Sequence, residues 1–90
     1  MPPLNVEVHS RIRAVVQAIL DQNSIVAAHE PDTRLVELGL TSMDMVDLML
    51  RVEAEFDFTI PQSDITSENF GSVATLQAMV IRHLAAAMTA

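Results

Sequence analysis

Apolar residues return along this chain at the spacing of a helix. Val8, Ile12, Val15, Val16, Ile19 and Leu20 follow the i, i+4, i+7, i+8 order that places one apolar stripe on an α-helix. The pattern predicts a first helix at roughly 6–22, with Asn5 as its N-cap. "LNVEVHS" also alternates with period two, but it is too short to outweigh the longer helical pattern. Residues 23–41 then form a long connection, a type of segment that is usually functional or pinned by its own side chains; Ile25, Val26, Leu35 and Leu38 are the candidates for pinning.

A second helix is predicted from about 42 to 56. Thr41 is its N-cap, and Asp44, three residues on, comes close to a capping box. Val46, Leu50 and Phe56 make one apolar stripe, and Met45, Met49 and Val52 an adjacent one. That much apolar surface places the helix centrally. "DFTIP" ends the pattern, with Ile60 as a buried anchor and Pro61 as a stop. "QSDITSENF" has room only for a short helix, with Ser63 as its cap. Ser72 caps a last helix, about 73–87, whose inward face is Val73, Leu76, Val80, Leu84 and Ala87. No segment reads as a strand. The fold class is therefore all-α, a four-helix bundle of three main helices and one short one, in a single domain over 1–90 with its core at about 6–87.

Composition narrows the possibilities. The net charge is −7, with five arginines and no lysine, so nucleic acid is not an expected partner, because binding phosphates takes a basic surface. Ten of the twelve acidic residues lie between Glu30 and Glu68, opposed there only by Arg34 and Arg51. This stretch reads as a solvated face or as a docking surface for basic proteins. No apolar run reaches the length of a membrane span, and the start of the chain lacks the basic and apolar regions of a signal peptide. Cytoplasm is the expected compartment. There is no cysteine, hence neither a disulfide nor a thiol of the chain's own.

Several chemistries fall away. A phosphate-binding loop needs a lysine, and "GLTSM" is not the serine elbow of a hydrolase. His9, His29 and His83 lie far apart without metal-ligand spacing and read as exposed residues. Asp44 and Asp47, one turn apart, read as residues that offset the helix dipole rather than as a cation site. The methionines read as core residues, and they make that core adaptable.

One local feature remains. In "LGLTSMD", residues 38–44, two hydroxyl residues stand in a row at a helix start, and one suffices for a cap. With Thr41 capping, Ser42 falls on the first turn and points outward at the positive end of the helix. A phosphate attached there is stabilised by free N–H groups and the dipole. Ser42 is otherwise a plain polar first-turn residue, or one that shares the capping.

The segment "LGLTSMDMVDLMLRVEAEFDFTIP", residues 38–61, resembles the 4′-phosphopantetheine-binding segment of acyl and peptidyl carrier proteins. The family pattern is Leu-Gly-x-Asp-Ser-Leu, then an apolar-acidic helix ending in Glu-x-x-Phe, then Ile-Pro. Leu38, Gly39, Ser42, Val46, Leu48, Glu53, Phe56, Ile60 and Pro61 fall in step with it without a gap. The resemblance extends less strictly through Leu35 upstream and Val73 and Leu76 downstream. Thr41 stands where the family usually has Asp, and Met43 where it has Leu. The segment between Pro61 and Phe70 is longer than in fatty-acid-type carriers.

The resemblance implies a carrier rather than an enzyme. A phosphopantetheinyl transferase would attach 4′-phosphopantetheine from coenzyme A to Ser42, and its thiol would hold an acyl or aminoacyl group as a thioester. Thr41, Met43, Asp44, Asp47 and Glu53 would form the docking surface. The implied partners are the transferase, an acyl- or aminoacyl-loading ligase, and downstream transferases or synthases. The "GLTS" form with "ENF" downstream looks like the specialised, stand-alone bacterial carriers, some of which receive an amino acid from a separate ligase. A monomer without membrane insertion is expected. The competing class is a non-catalytic acidic helical interaction module whose serine is never modified.

Overall fold

Three amphipathic segments account for the architecture. The structure, a computed structural model, describes residues 4–26 and 30–89, with side chains at 6–26 and 30–86. The first helix, α1, runs Leu4–Gln22, α2 runs Ser42–Phe56, and α3 runs Val73–Thr89. Short 3-10 turns at Leu35–Leu38 and Gln62–Asp64 stand in the two connections. The described residues contain no strand, and α1 packs against both other helices.

From α1, Val8, Ile12, Val16, Ile19 and Leu20 are buried, with Val15 partly so. Leu76, Met79 and Val80 of α3 meet them, with Val73 beneath the helix start. Met79 is a core residue that the stripe read from the sequence leaves out; Ala87 lies outside the described side chains. Helix α1 begins at Leu4, so Asn5 is already helical and is not the N-cap.

The long connection is held, but not by all four expected residues. Leu35 is fully buried, and Ile25 and Leu38 pack on the core. Val26 is fully exposed. Backbone bonds do the rest: Leu35 N–H donates to Gly71 O and Ala74 N–H to Pro31 O, each at 2.8 Å. The second of these satisfies one of the amides that the start of α3 leaves without a helical partner. Ser72 satisfies another, its Oγ accepting from Thr75 N–H at 3.2 Å, as expected of a cap.

Gly39 closes the Leu35–Leu38 turn with φ +94°, the left-handed region. A Cβ there would meet only Ile25 Cδ1, at 3.7 Å, so a substitution is penalised by the backbone and not by crowding. Gly39→Ala is expected to destabilise the chain by about 1 kcal/mol in a urea melt.

Beyond α2, Ile60 is buried as anticipated. The expected short helix is a 3-10 turn, and Ser63 lies inside it rather than at its start. Pro61, with φ −59°, takes the cap position without a side-chain bond. The hydroxyl that organises the following turn is Thr66 Oγ1, which accepts from Asn69 N–H at 3.1 Å. Two histidines are half-buried rather than exposed. His83 Nε2 lies 2.6 Å from Asp64 Oδ2 and its ring stacks near Phe58, joining α3 to the turn. His9 Nδ1 lies 3.0 Å from Gln77 Oε1, joining α1 to α3. His29 lies outside the described residues.

Candidate functional site

The start of α2 is built by a reciprocal cap. Thr41 is extended, and its Oγ1 accepts from Asp44 N–H at 3.3 Å. In return Asp44 Oδ2 accepts from Thr41 N–H at 2.8 Å and from the Thr41 hydroxyl at 3.0 Å. An α-helix begins with four amides that have no helical partner. The box satisfies those of Thr41 and Asp44, and the other two, on Ser42 and Met43, form no bond among the described residues. The Ser42 hydroxyl, exposed in the first turn, likewise forms none. The capping hydroxyls of Thr41 and Ser72 are engaged, whereas that of Ser42 is available for chemistry.

The Thr41 N–H, more than any other group, holds the Asp44 carboxyl below the usual carboxylate range. Partial shielding from water opposes it, and bonds from the Thr41 hydroxyl and the Asn23 amide add to it. A folded-state value below the unfolded one stabilises the fold above the unfolded carboxylate range, and that stabilisation is lost as pH falls through the folded value. Asp44→Asn is therefore expected to melt below the parent chain at neutral pH. The gap should close as pH drops through the depressed value, in melts followed by circular dichroism.

Met43, Val46 and Leu50 line the outward side of α2 at 75%, 46% and 54% exposure. The inward side is Leu48, Val52 and Phe56, with Met45 and Met49 partly buried. The stripe expected to run through Val46 and Leu50 thus faces water, and only Phe56 of that set is in the core. Between α2 and the segment after its following loop lies an open apolar groove of about 280 Å³, with Val36, Val46, Met49, Ile65 and Phe70 among its walls. Val46 is one helical turn on from Ser42.

The carboxylates of α2 all have partners within the chain. Asp47 accepts from Arg51 Nε at 3.1 Å, and the same guanidinium reaches Gln22 Oε1 through Nη2 at 2.8 Å. Glu53 accepts from Ile60 N–H at 2.8 Å, tying the loop back to the helix. Glu55 accepts from Arg11 Nε at 2.8 Å, with that guanidinium over the Phe56 ring. Of the residues expected at the docking surface, Thr41, Met43 and Asp44 adjoin Ser42 in the first turn of α2, Asp47 stands more than a turn further on, bound to Arg51, and Glu53 braces the far end of α2. No group of three or more metal-ligating side chains occurs among the described residues, and none of their helices is long and apolar enough to cross a membrane.

These features fit a phosphate-linked arm. Ser42 offers the free hydroxyl, the two unpaired amides suit a phosphodiester anion, and an apolar groove begins a turn away. Residues 10–80 match the family model described as a phosphopantetheine attachment site. The chain is 57% identical to aminoacyl carrier protein 1 of Bradyrhizobium diazoefficiens over the full length of both. It is 49% identical to aminoacyl carrier protein 2 of the same organism, over 88% of this chain and 89% of that one. Among solved structures it is similar to a chain from Bradyrhizobium japonicum glycine:[carrier protein] ligase complexed with glycylated carrier protein. That match has 61% identity and a TM-score of 0.68, covering 78% of this chain and 97% of that one. A second match, to the same ligase with its cognate carrier protein and an analogue of glycyl adenylate, has 60% identity and a TM-score of 0.71, covering 81% and 97%. A capped helix presenting one free serine, a family match over most of the sequence and a full-length relative of more than half identity together place this chain in the phosphopantetheine-attachment family, among its aminoacyl carrier proteins.

Proposed function

We propose that Ser42 is the attachment residue, and that a ligase of the glycine:[carrier protein] type loads the arm with a small amino acid. The observation that carries the first part is the division of labour at the start of α2: Thr41 and Asp44 hold the helix and leave the Ser42 hydroxyl unbonded. The similarity to a chain crystallised with such a ligase supports the second. In the transfer, Ser42 Oγ forms the new O–P bond and gives up its proton, while the pyrophosphate of coenzyme A is cleaved and the nucleotide leaves. The arm supplies the thiol that this cysteine-free chain lacks and bears the aminoacyl group as a thioester. The chain contributes presentation rather than catalysis, and tethering keeps the cargo at high local concentration beside a docked enzyme.

We infer that the docking patch consists of Thr41, Met43, Asp44 and Asp47 together with Val46 and Leu50, and that Glu53 has a structural role. Asp47 and Glu55 are paired with Arg51 and Arg11, whereas Asp44 and Glu53 bond only neutral groups and keep their charge, so apolar contact at Met43, Val46 and Leu50 is joined by attraction for a basic partner surface. The apparent KM of the pantetheinylated chain for the ligase should rise over a salt range that screens surface charge.

The test is to incubate the pantetheinylated chain with ATP, single amino acids and a glycine:[carrier protein] ligase, and to read intact mass. The expected result is addition of one amino acid, glycine or a residue of similar size, to the pantetheinylated chain and none to the unmodified chain. Refusal of every amino acid by a competent ligase would overturn this assignment of partner.

A further inference from the structure

The capping box is not self-contained. Asp44 Oδ2 serves Thr41, but Oδ1 accepts from Asn23 Nδ2 at 3.1 Å. The same Asn23 amide nitrogen donates to Ile19 O at 2.8 Å. Asn23 stands just past the end of α1, where its backbone N–H also reaches Ile19 O, at 3.1 Å. Ser24 follows with φ +57° and reverses the chain, so that Ile25 N–H closes on Leu20 O at 2.9 Å. The side chain of Asn23 is thus fixed on one side by the last turn of α1, and with its other hydrogen it grips the residue that orients the first turn of α2. The next side-chain link between the two helices, Arg51 to Gln22, lies two turns further along α2.

We propose that Asn23 is a positioning residue for phosphopantetheine attachment. Through Asp44 it sets where the first turn of α2, and so the Ser42 hydroxyl, stands relative to the body of the chain. The inference rests on Ser42 being the acceptor. A transferase that docks on the bundle must find Ser42 Oγ within reach of the reacting phosphorus, and a nucleophile displaced by about 1 Å loses up to a hundredfold in rate. Thr41 and Asp44 keep the turn helical on their own. Leu40 and Met45 anchor it to the core by packing, and Asn23 supplies the side-chain hydrogen bond that ties the turn to the end of α1.

The experiment is single-turnover pantetheinylation at saturating transferase and coenzyme A, followed by intact mass, at a temperature where every variant is fully folded by circular dichroism. Saturation removes docking from the measured rate. Asn23→Ala is expected to lower the rate by about tenfold, and Asn23→Asp further, because it sets a second carboxylate against Asp44. Gln17→Ala, which breaks an exposed bond to Asp21 on α1, serves as a control expected to react at the parent rate. In an Asp44→Ala background, Asn23→Ala should have no further effect, since its route to the site is gone. An unchanged rate in Asn23→Ala, or an equal loss with and without Asp44, would overturn the inference even if the melting temperature falls. A parent chain that accepts no group would instead remove the assignment of Ser42, and this inference with it.

Discussion

Ser42→Ala is expected to leave the fold intact and to abolish attachment of the arm completely. Both halves follow from the geometry. The Ser42 side chain is exposed and forms no hydrogen bond among the described residues, so its loss removes no contact, and alanine is the better helix former. The stability change should stay within about 0.5 kcal/mol. The chemistry should not survive, because the hydroxyls of Thr41 and Ser72, the other two at helix starts, are engaged in capping. The measurement is intact mass after incubation with coenzyme A, magnesium and a broad-specificity phosphopantetheinyl transferase. The parent chain should gain one phosphopantetheine and the variant should keep its unmodified mass. A modified variant would move the site elsewhere. A melting temperature lowered by more than the equivalent of about 1 kcal/mol would mean that the hydroxyl shares the cap.

Leu48→Ala should produce the largest loss of stability on α2. Leu48 is fully buried, packed in the core at the centre of the helix. Truncating such a residue removes its transfer free energy and leaves a cavity, at a cost of about 2–5 kcal/mol. A domain of this size shifts its melting temperature by about 4–8 °C per kcal/mol, and total stabilities are about 5–15 kcal/mol. The variant should therefore melt at least about 8 °C lower and in markedly less urea. Leu50→Ala, two residues away but half exposed, should change stability by about 0.5 kcal/mol or less. Equal effects from the two would contradict the orientation of α2.

That pair marks where the sequence was readable and where it was not. The bounds of α2, its cap at Thr41 and the reciprocal role of Asp44 are local properties, decided within four residues, and they were legible. So was the run from Leu38 to Pro61 that resembles carrier proteins. The inward face of α2 was not, because Met43, Met45, Val46, Leu48, Met49 and Leu50 are all apolar, and periodicity cannot choose between two apolar faces. The choice is made by α1, α3 and the loops. Partners that lie further along the chain were not legible for the same reason. Nothing around Glu53 announces its bond from Ile60 N–H, His83 reads as exposed but meets Asp64, and nothing around Asn23 announces Asp44. Ser63 was misread because Pro61 starts a turn too tight to use a hydroxyl cap.

The outward trio on α2, proposed above as the docking contact, bears on how long an encounter lasts. Complete burial of Met43, Val46 and Leu50 contributes at most about 5–9 kcal/mol, against an association cost of about 4–15 kcal/mol. Little remains to hold two proteins together, and variation in lifetime among related complexes lies mostly in the dissociation rate. Residence on an enzyme is therefore governed by what is seated in that enzyme's active site, the tethered arm and its aminoacyl group. Once the group has been passed on, part of the hold goes with it, and the empty carrier departs sooner than the loaded one.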